Sequence, residues 1–161
     1  MQKSIFRVLL ATLATISMLS IGQVSANERA EPDAEKSEYW PPIKKNMFGD
    51  REVTYDKDNK YLAVYSPIRA DDASSVPVMV RFRNPQNEKE WIKRVWLIAD
   101  RNPVPVPGVF KFSKEAGLAH VETRIRLEDM MHVRAVAEMN DGRLFMAARW
   151  IKAFGGCTAP F

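Results

Sequence analysis

Cys157 is the residue of this chain best suited to covalent chemistry, because the 161-residue sequence contains one cysteine. Gly155 and Gly156 precede it directly. Two glycines place no side chain beside the thiol and leave the backbone free to rotate. The pattern therefore predicts a movable thiol on a slim arm, residues 155–161, with the sulfur roughly 10–13 Å beyond the last strand.

An arm of this kind suits a carrier, because a cargo that enters several deep enzyme sites in turn needs an attachment point that protrudes and flexes. No general base adjoins the thiol in sequence, since Lys152 lies five residues away. Activation of the thiolate is therefore expected to come from a partner. Two alternatives stay open for Cys157: a disulfide to another chain, or a cysteine without a role.

Catalytic and metal-binding patterns are absent from the sequence. The two histidines, His120 and His132, fall at strand positions where we expect solvent-facing side chains, and no metal-ligand spacing contains them. Asp71-Asp72 is expected to begin a solvated turn, and Met130-Met131 to fill a core. The prediction is a protein with no catalytic set, no metal and no cofactor.

Residues 1–26 have the features of a cleaved secretory signal. Lys3 and Arg7 precede an apolar run from Val8 to Ile21, and Val24-Ser25-Ala26 supplies the small residues that signal peptidase requires. The run is shorter than the roughly 20 residues that span a bilayer, which weakens the alternative of a membrane anchor. We therefore expect the mature chain to be exported, with no membrane attachment after cleavage.

The mature chain is nearly neutral. Removing Lys3 and Arg7 from the 24 basic residues leaves 22 against 20 acidic ones, a net charge of +2. No basic block with interleaved aromatic residues is present, so nucleic acid is not an expected partner. Residues 27–46 are charged and lack apolar periodicity, which predicts a flexible lead-in before a single domain over residues 47–154.

Period-two alternation of apolar residues dominates that domain. In one segment Val76, Val78, Val80 and Phe82 face inward, and another, Val121 to Leu127, alternates as cleanly. Seven short strands are expected near these segments: 60–66, 76–83, 91–99, 109–113, 120–127, 131–139 and 143–153. With no convincing helix longer than two turns, the pattern predicts an all-β fold, an antiparallel sandwich of immunoglobulin-like type.

Two connections have specific sequence signals. Asn140-Asp141-Gly142 accepts the left-handed backbone of a tight hairpin between the last two strands. Between two earlier strands, Asn102 to Gly108 carries three prolines, which fix φ and remove backbone donors. We expect this segment to be a rigid crossover between the two sheets, with a stiff edge presented to a partner as the alternative.

Four motifs occur in order along the chain: Val76-Pro77-Val78, Asn102-Pro103-Val104-Pro105, Thr123-Arg124-Ile125-Arg126 and Gly155-Gly156-Cys157. This ordered set resembles the SoxY family, the sulfur-carrying subunit of the periplasmic sulfur-oxidising complex. The resemblance covers about residues 47–157. It implies an immunoglobulin-like sandwich, a SoxZ-like partner subunit in a heterodimer, and Cys157 as the covalent attachment site for sulfur intermediates. Gly155 and Gly156 correspond to the swinging arm of the family.

Residues Thr158 to Phe161 depart from the family pattern, in which glycines follow the cysteine. A GGC-x-AP ending is more similar to the SoxYZ-like carriers associated with quinoprotein dehydrogenases, where a SoxZ-like domain follows on the same chain. The resemblance thus implies a periplasmic sulfur carrier whose adduct is processed by redox or hydrolytic enzymes. The alternative is an interaction module that docks to a dehydrogenase or a SoxZ-like subunit, with Cys157 as a tether or without role.

Overall fold

A computed structural model describes residues 31–83 and 86–155 of the chain. Within these ranges the structure has one helix, α1 (Trp40–Phe48), preceded by a 3-10 turn at Ala34–Lys36, and nine strands. The strands are β1 (Val53–Tyr55), β2 (Leu62–Tyr65), β3 (Arg69–Ala70), β4 (Val76–Phe82), β5 (Ile92–Ala99), β6 (Gly108–Lys111), β7 (His120–Ile125), β8 (Met131–Met139) and β9 (Leu144–Ala153). No helix in this part of the chain is long and apolar enough to cross a membrane.

The strands form two sheets, which confirms the predicted all-β sandwich. The larger sheet has the order β1-β9-β8-β5-β6, with β3 also paired to β9, and the smaller sheet has the order β2-β4-β7. All seven predicted strands are present. The two additional strands, β1 and β3, each pair with β9 in parallel. The sequence predicted an antiparallel sandwich, and these two parallel pairs are the exception to that prediction.

The alternating segments face the core as their sequences predict. Along β4, Val76, Val78, Val80 and Phe82 are buried. On β7, Val121 and Ile125 are buried while His120, Glu122 and Arg124 are exposed. These side chains meet the inner faces of β5, β8 and β9, including Val95, Val133, Ala135 and Ile151, in one continuous core. Burial of such apolar surface is the main contribution to folding free energy.

A second, smaller core covers the opposite face of the larger sheet. Trp40 and Phe48 of α1 pack there with Ile98, Val136 and Leu144. The Phe48 ring meets Trp96 edge to face at 5.0 Å between centroids. This packing explains why β8 is buried on both faces, since helix and sheet each cover one side of it.

The prediction of a flexible lead-in over residues 27–46 is wrong for the second half of that range. Residues from Trp40 onward form α1, and both Ala34 and Trp40 are buried. Pro41 and Pro42 sit in the first helical turn, where the missing N–H groups would have no intrahelical acceptor. The helix also crosses the expected boundary between lead-in and domain at residue 47.

The proline-rich connection also differs from its prediction. It joins β5 to β6, which pair antiparallel in the same sheet, and is therefore not a crossover between sheets. The Ala99 N–H donates to the Pro105 carbonyl at 2.8 Å and closes the loop. The Asn140-Asp141-Gly142 hairpin is confirmed between β8 and β9, with Gly142 at φ 91°.

Candidate functional site

The predicted arm leaves the sandwich at the end of β9, an interior strand of the larger sheet. β9 pairs with β8 along eight residues on one side, and with β1 and β3 on the other. The strand ends at Ala153, and Phe154 and Gly155 follow it. Gly156 and Cys157 lie outside the described residues, so their roles as arm and attachment site stay predictions.

Segment 68–73 holds the base of the arm through backbone hydrogen bonds. The Lys152 N–H donates to the Ile68 carbonyl at 2.8 Å, and the Phe154 N–H to the Ala70 carbonyl at 2.9 Å. In return, the Ala73 N–H donates to the Phe154 carbonyl at 3.1 Å. The chain is therefore fixed as far as Phe154, and the three residues to Cys157 span at most about 10 Å.

Gly155 has a defined conformation that requires glycine. Its φ is 72°, in the left-handed region that other residues rarely adopt. A Cβ atom built on it would lie 2.9 Å from the Asp71 carbonyl oxygen. The sequence suggested free rotation for both glycines of the arm. Gly155 has a further role, because the absence of a side chain lets the backbone pass close to segment 68–73.

An arginine and exposed apolar side chains surround this exit point. The Arg69 guanidinium lies over the Phe154 ring, 4.5 Å from its centroid, and Arg69 Nε is 3.5 Å from Asp71 Oδ1. Ile68 and Phe154 each expose about two fifths of their surface, at 43% and 39%. Exposed aromatic and aliphatic side chains beside the arm suit contact with another protein.

Asp71 and Asp72 form the exposed turn that the sequence predicts. Asp72 Oδ1 accepts hydrogen bonds from the Ser74 hydroxyl at 2.6 Å and from the Ser74 N–H at 2.9 Å. These bonds hold the pKa of Asp72 below its ordinary value. The turn leads directly into β4, so it connects segment 68–73 to the smaller sheet.

The two histidines occupy different environments, and the prediction for His132 is wrong. His120 is exposed on β7, as expected. His132 is buried, with Nε2 donating to the Pro32 carbonyl at 2.9 Å and its ring edge to face with Trp150. Burial lowers the pKa of His132. The N-terminal segment covers a face of β8 that alternation alone assigns to solvent.

Sequence reasoning also missed a buried ion pair between β8 and the end of β5. Arg134 Nε and Nη2 donate to the two carboxylate oxygens of Asp100 at 2.7 and 2.6 Å, and both side chains are almost fully buried. Arg134 Nη2 also donates to the Ala34 carbonyl at 2.9 Å, and the guanidinium lies 4.7 Å from the Trp40 ring. The one available signal was an arginine between the apolar residues Val133 and Ala135 of the strand MHVRAVAEM.

This network positions the N-terminal segment against the larger sheet. Ser37 Oγ donates to Asp100 Oδ2 at 3.1 Å, which adds a third tie between the segment and the sheet. Met131 fills the core as predicted, whereas the same prediction is wrong for Met130, whose side chain is exposed. Among the residues that the structure describes, no three His, Cys, Asp or Glu side chains cluster as a metal site would require.

Comparison with solved structures shows the fold alone. The chain is similar to a superoxide reductase (neelaredoxin) from Ignicoccus hospitalis, with a TM-score of 0.53 and 14% identity over 63% of this chain and 94% of that one. It is also similar to a putative superoxide reductase from Thermotoga maritima, with a TM-score of 0.52 and 15% identity over 65% of this chain and 95% of that one. No curated protein matches the sequence.

A family comparison identifies the chain more specifically. The model of the sulfur oxidation protein SoxY matches residues 44–157. This range begins in α1, includes both sheets of the sandwich and ends at Cys157, so it contains all four motifs noted in the sequence. The match covers well over half of the chain, and the protein therefore belongs to the SoxY family.

Proposed function

We propose that this protein is a periplasmic sulfur carrier that holds sulfur intermediates covalently on Cys157 and presents them to partner enzymes. Membership of the SoxY family implies a carrier role in sulfur oxidation, and proteins of this family generally work with SoxZ partners. The single observation that supports Cys157 as the attachment site is that the family match runs through Gly155-Gly156-Cys157.

The structure of the arm base supports this proposal through reach and rigidity. Hydrogen bonds fix the chain up to Phe154, so a thiol on residue 157 can reach at most about 10 Å from that fixed point. A limited reach keeps the effective concentration of the cargo high at a docked enzyme. In this account the sandwich is the docking body, and Gly155 and Gly156 form the arm.

The chemistry of loading defines what the partners must supply. If thiosulfate is the cargo, its outer sulfur forms an S–S bond with Cys157 Sγ, and the reaction releases the thiol proton and two electrons. A redox partner must accept both electrons, because the chain has one cysteine and carries no predicted cofactor. Hydrolysis of the terminal sulfonate then yields sulfate and leaves a persulfide on Cys157. The chain thus acts as carrier, while oxidation and hydrolysis belong to other proteins.

Intact mass spectrometry of the native periplasmic protein tests the proposal. The protein from cells oxidising reduced sulfur is expected to show mass increments of whole sulfur atoms or of a thiosulfate group. Cys157→Ser is expected to fold normally and to lose every such increment. An unmodified thiol throughout active sulfur oxidation would contradict the carrier role. A stable crosslinked dimer that depends on Cys157 would favour a tether instead.

A further inference from the structure

A groove lies along the smaller sheet and reaches β9 of the larger sheet at Arg149. Tyr65, Met79 and Glu122 lie side by side across β2, β4 and β7, and Pro77 and Arg124 form the next outward row. The groove has a volume of ≈ 920 Å³. Its lining runs from Pro77 on β4 to Arg83, just beyond the end of that strand, about 20 Å at the rise of a strand, which matches an extended segment of about six residues. We call it the basic groove.

The charges of the basic groove are predominantly positive. Arg83, Arg124 and Arg149 line it, against one carboxylate, Glu122. Arg83 Nε donates to the Asn59 carbonyl at 3.2 Å, and Arg124 Nη1 donates to the Ser75 carbonyl at 3.0 Å. Neutral carbonyls hold these two guanidinium groups in place without neutralising their charge.

Of the three arginines, Arg83 and Arg124 carry the positive charge that is available to a ligand. Arg149 forms an ion pair with Glu31 at 3.0 Å. Across residues 31–83 and 86–155, neither Arg83 nor Arg124 has a carboxylate oxygen within 4.0 Å. Positioned arginines of this kind bind carboxylates more strongly than freely rotating ones, since less side-chain entropy is lost.

The basic groove begins beside the base of the arm. Ser66 Oγ donates to the Pro77 carbonyl at 2.9 Å, and both residues line the groove. Pro67, which also lines it, precedes Ile68, whose carbonyl accepts the Lys152 N–H at the end of β9. A protein segment bound in the groove therefore lies close to the point where the arm leaves the sandwich.

Apolar side chains form the rest of the surface. Tyr65 exposes 42% of its surface, Pro77 is exposed, and Met79 is half-buried. A purely ionic ligand would leave these side chains uncovered. The complementary occupant is therefore a segment in which carboxylates alternate with apolar residues, as in an exposed extended strand.

From this charge complementarity and position, we propose that the basic groove docks an acidic, extended segment of the enzyme that takes the cargo from Cys157. The proposal rests on the carrier function and adds the surface that recognises the enzyme. Ionic attraction steers the enzyme to the face beside the arm, and the apolar contacts then hold it there. The arm is thereby delivered to the enzyme in one orientation.

A six-residue peptide of alternating glutamate and valine is a suitable probe, with the lysine–valine peptide as its charge control. Titration into the ¹⁵N-labelled mature chain is expected to shift the backbone resonances of Tyr65, Met79 and Thr123. Binding is expected to weaken as salt is added, because screening acts on exposed charges. Equal binding of both peptides, no binding at millimolar peptide, or shifts confined to another face would overturn the proposal.

Charge reversal gives the second arm of the test. Arg83→Glu and Arg124→Glu are each expected to weaken binding of the acidic peptide about tenfold. Lys111→Glu, an exposed residue on β6 of the other sheet, makes the same charge change and is expected to leave binding within about twofold. An equal loss in all three variants would overturn the proposal, since net charge alone would then explain it. If Arg124→Glu misfolds, Arg83→Glu carries the comparison.

Measuring both adduct formation and peptide binding distinguishes a failure of the docking surface from a failure of the carrier function. Adduct formation on Cys157 is measured by mass spectrometry in the native host, for the natural chain and for Arg83→Glu. Adducts on the natural chain with no binding in the basic groove would refute the docking surface and leave the carrier role intact. Salt-dependent binding in the groove with no adduct on Cys157 would refute the carrier role and leave an acidic-segment docking surface.

Discussion

At the scale of single residues, Gly155 is the position where the arm meets the body. Its positive φ and the 2.9 Å approach of a hypothetical Cβ to the Asp71 carbonyl both disfavour a side chain. Glycine is thus required here for structural reasons, in addition to any flexibility that it gives the arm. The sequence indicated flexibility from the Gly-Gly pair, but the close approach of segment 68–73 depends on tertiary structure.

Substitution of Gly155 and of a control glycine separates the effect of backbone strain from that of the contact with Asp71. We expect Gly155→Ala to lower the free energy of unfolding by about 2 kcal/mol, through backbone strain and through contact with Asp71. Gly117→Ala is the matched control, because Gly117 has a φ of 66° and open space around it. It is expected to cost about 1 kcal/mol from strain alone. Equal losses in urea denaturation would show that the Asp71 contact is unimportant.

His132 is expected to make stability depend on pH. Burial lowers its pKa in the folded protein, with Arg134 acting in the same direction, while Asp100, Glu31 and the Pro32 carbonyl act in the opposite one. The unfolded chain therefore binds a proton more readily, and stability falls as pH drops through the ordinary histidine value of 6.5.

Thermal unfolding between pH 7.5 and 5 measures this effect, with the pH range chosen about that ordinary value. The melting temperature of the natural chain is expected to fall over this interval, and His132→Gln is expected to reduce the fall. His120→Gln, at an exposed position on β7, is expected to leave the fall in melting temperature unchanged. A pH response unchanged in His132→Gln would contradict the assignment to this residue.

At the scale of elements, alternation predicted the strands that face one core and failed where a second layer covers the sheet. The register of β4 and β7 follows from sequence, because one face of each strand meets the core and the other meets water. In β8 both faces are buried, so period two carries no information about which side chains face outward. The burial of His132 and Arg134 could not be predicted without knowing that residues 32–40 return across this face.

Short elements escaped prediction for a different reason. β1 has three residues and β3 has two, which is too few for alternation to be recognised. α1 was missed because residues 27–46 are charged and lack apolar periodicity. The two prolines that follow Trp40 are compatible with a first helical turn. The prolines of the connection between β5 and β6 did not predict its path, because proline fixes local φ and does not specify which sheet the next strand joins.

The register of β7 can be tested by burying a charge. Ile125→Asp is expected to reduce stability by several kcal/mol, because Ile125 is buried and its new carboxylate would have no partner. His120→Asp on the exposed face of the same strand is expected to have little effect. Circular dichroism during urea denaturation compares them. A normally stable Ile125→Asp variant would contradict the assigned inward face.

The Arg134–Asp100 pair ties the N-terminal segment to the larger sheet. Arg134→Ala is expected to cost about 3–5 kcal/mol, because it leaves the Asp100 carboxylate buried without its partner. It is also expected to expose residues near Ala34 to limited proteolysis, since the Arg134 bond to that carbonyl is lost. Arg149→Ala, which removes a more exposed pair with Glu31, is expected to cost no more than about 1 kcal/mol. Similar losses in both variants would contradict a special role for the buried pair.

At the scale of the whole molecule, the sandwich connects two features of the proposed function. The end of β9 fixes the start of the arm, and the adjoining smaller sheet carries the basic groove. A sandwich is well suited to this arrangement, since its buried core keeps the arm base and the outer face in a constant relation. Family and fold could be predicted from ordered sequence motifs, whereas the basic groove requires residues from β2, β4, β7 and β9 to be brought together.

The most direct test of the central claim is to locate the adduct on Cys157 itself. Lys152 is the last basic residue of the sequence, so trypsin releases the cysteine in a peptide that begins at Ala153. Tandem mass spectrometry of this peptide, from native protein kept unreduced during active sulfur oxidation, is expected to place added sulfur or thiosulfate on Cys157. The adduct is expected to disappear when cells are deprived of reduced sulfur. A peptide that carries only a free thiol under both conditions would contradict the carrier role.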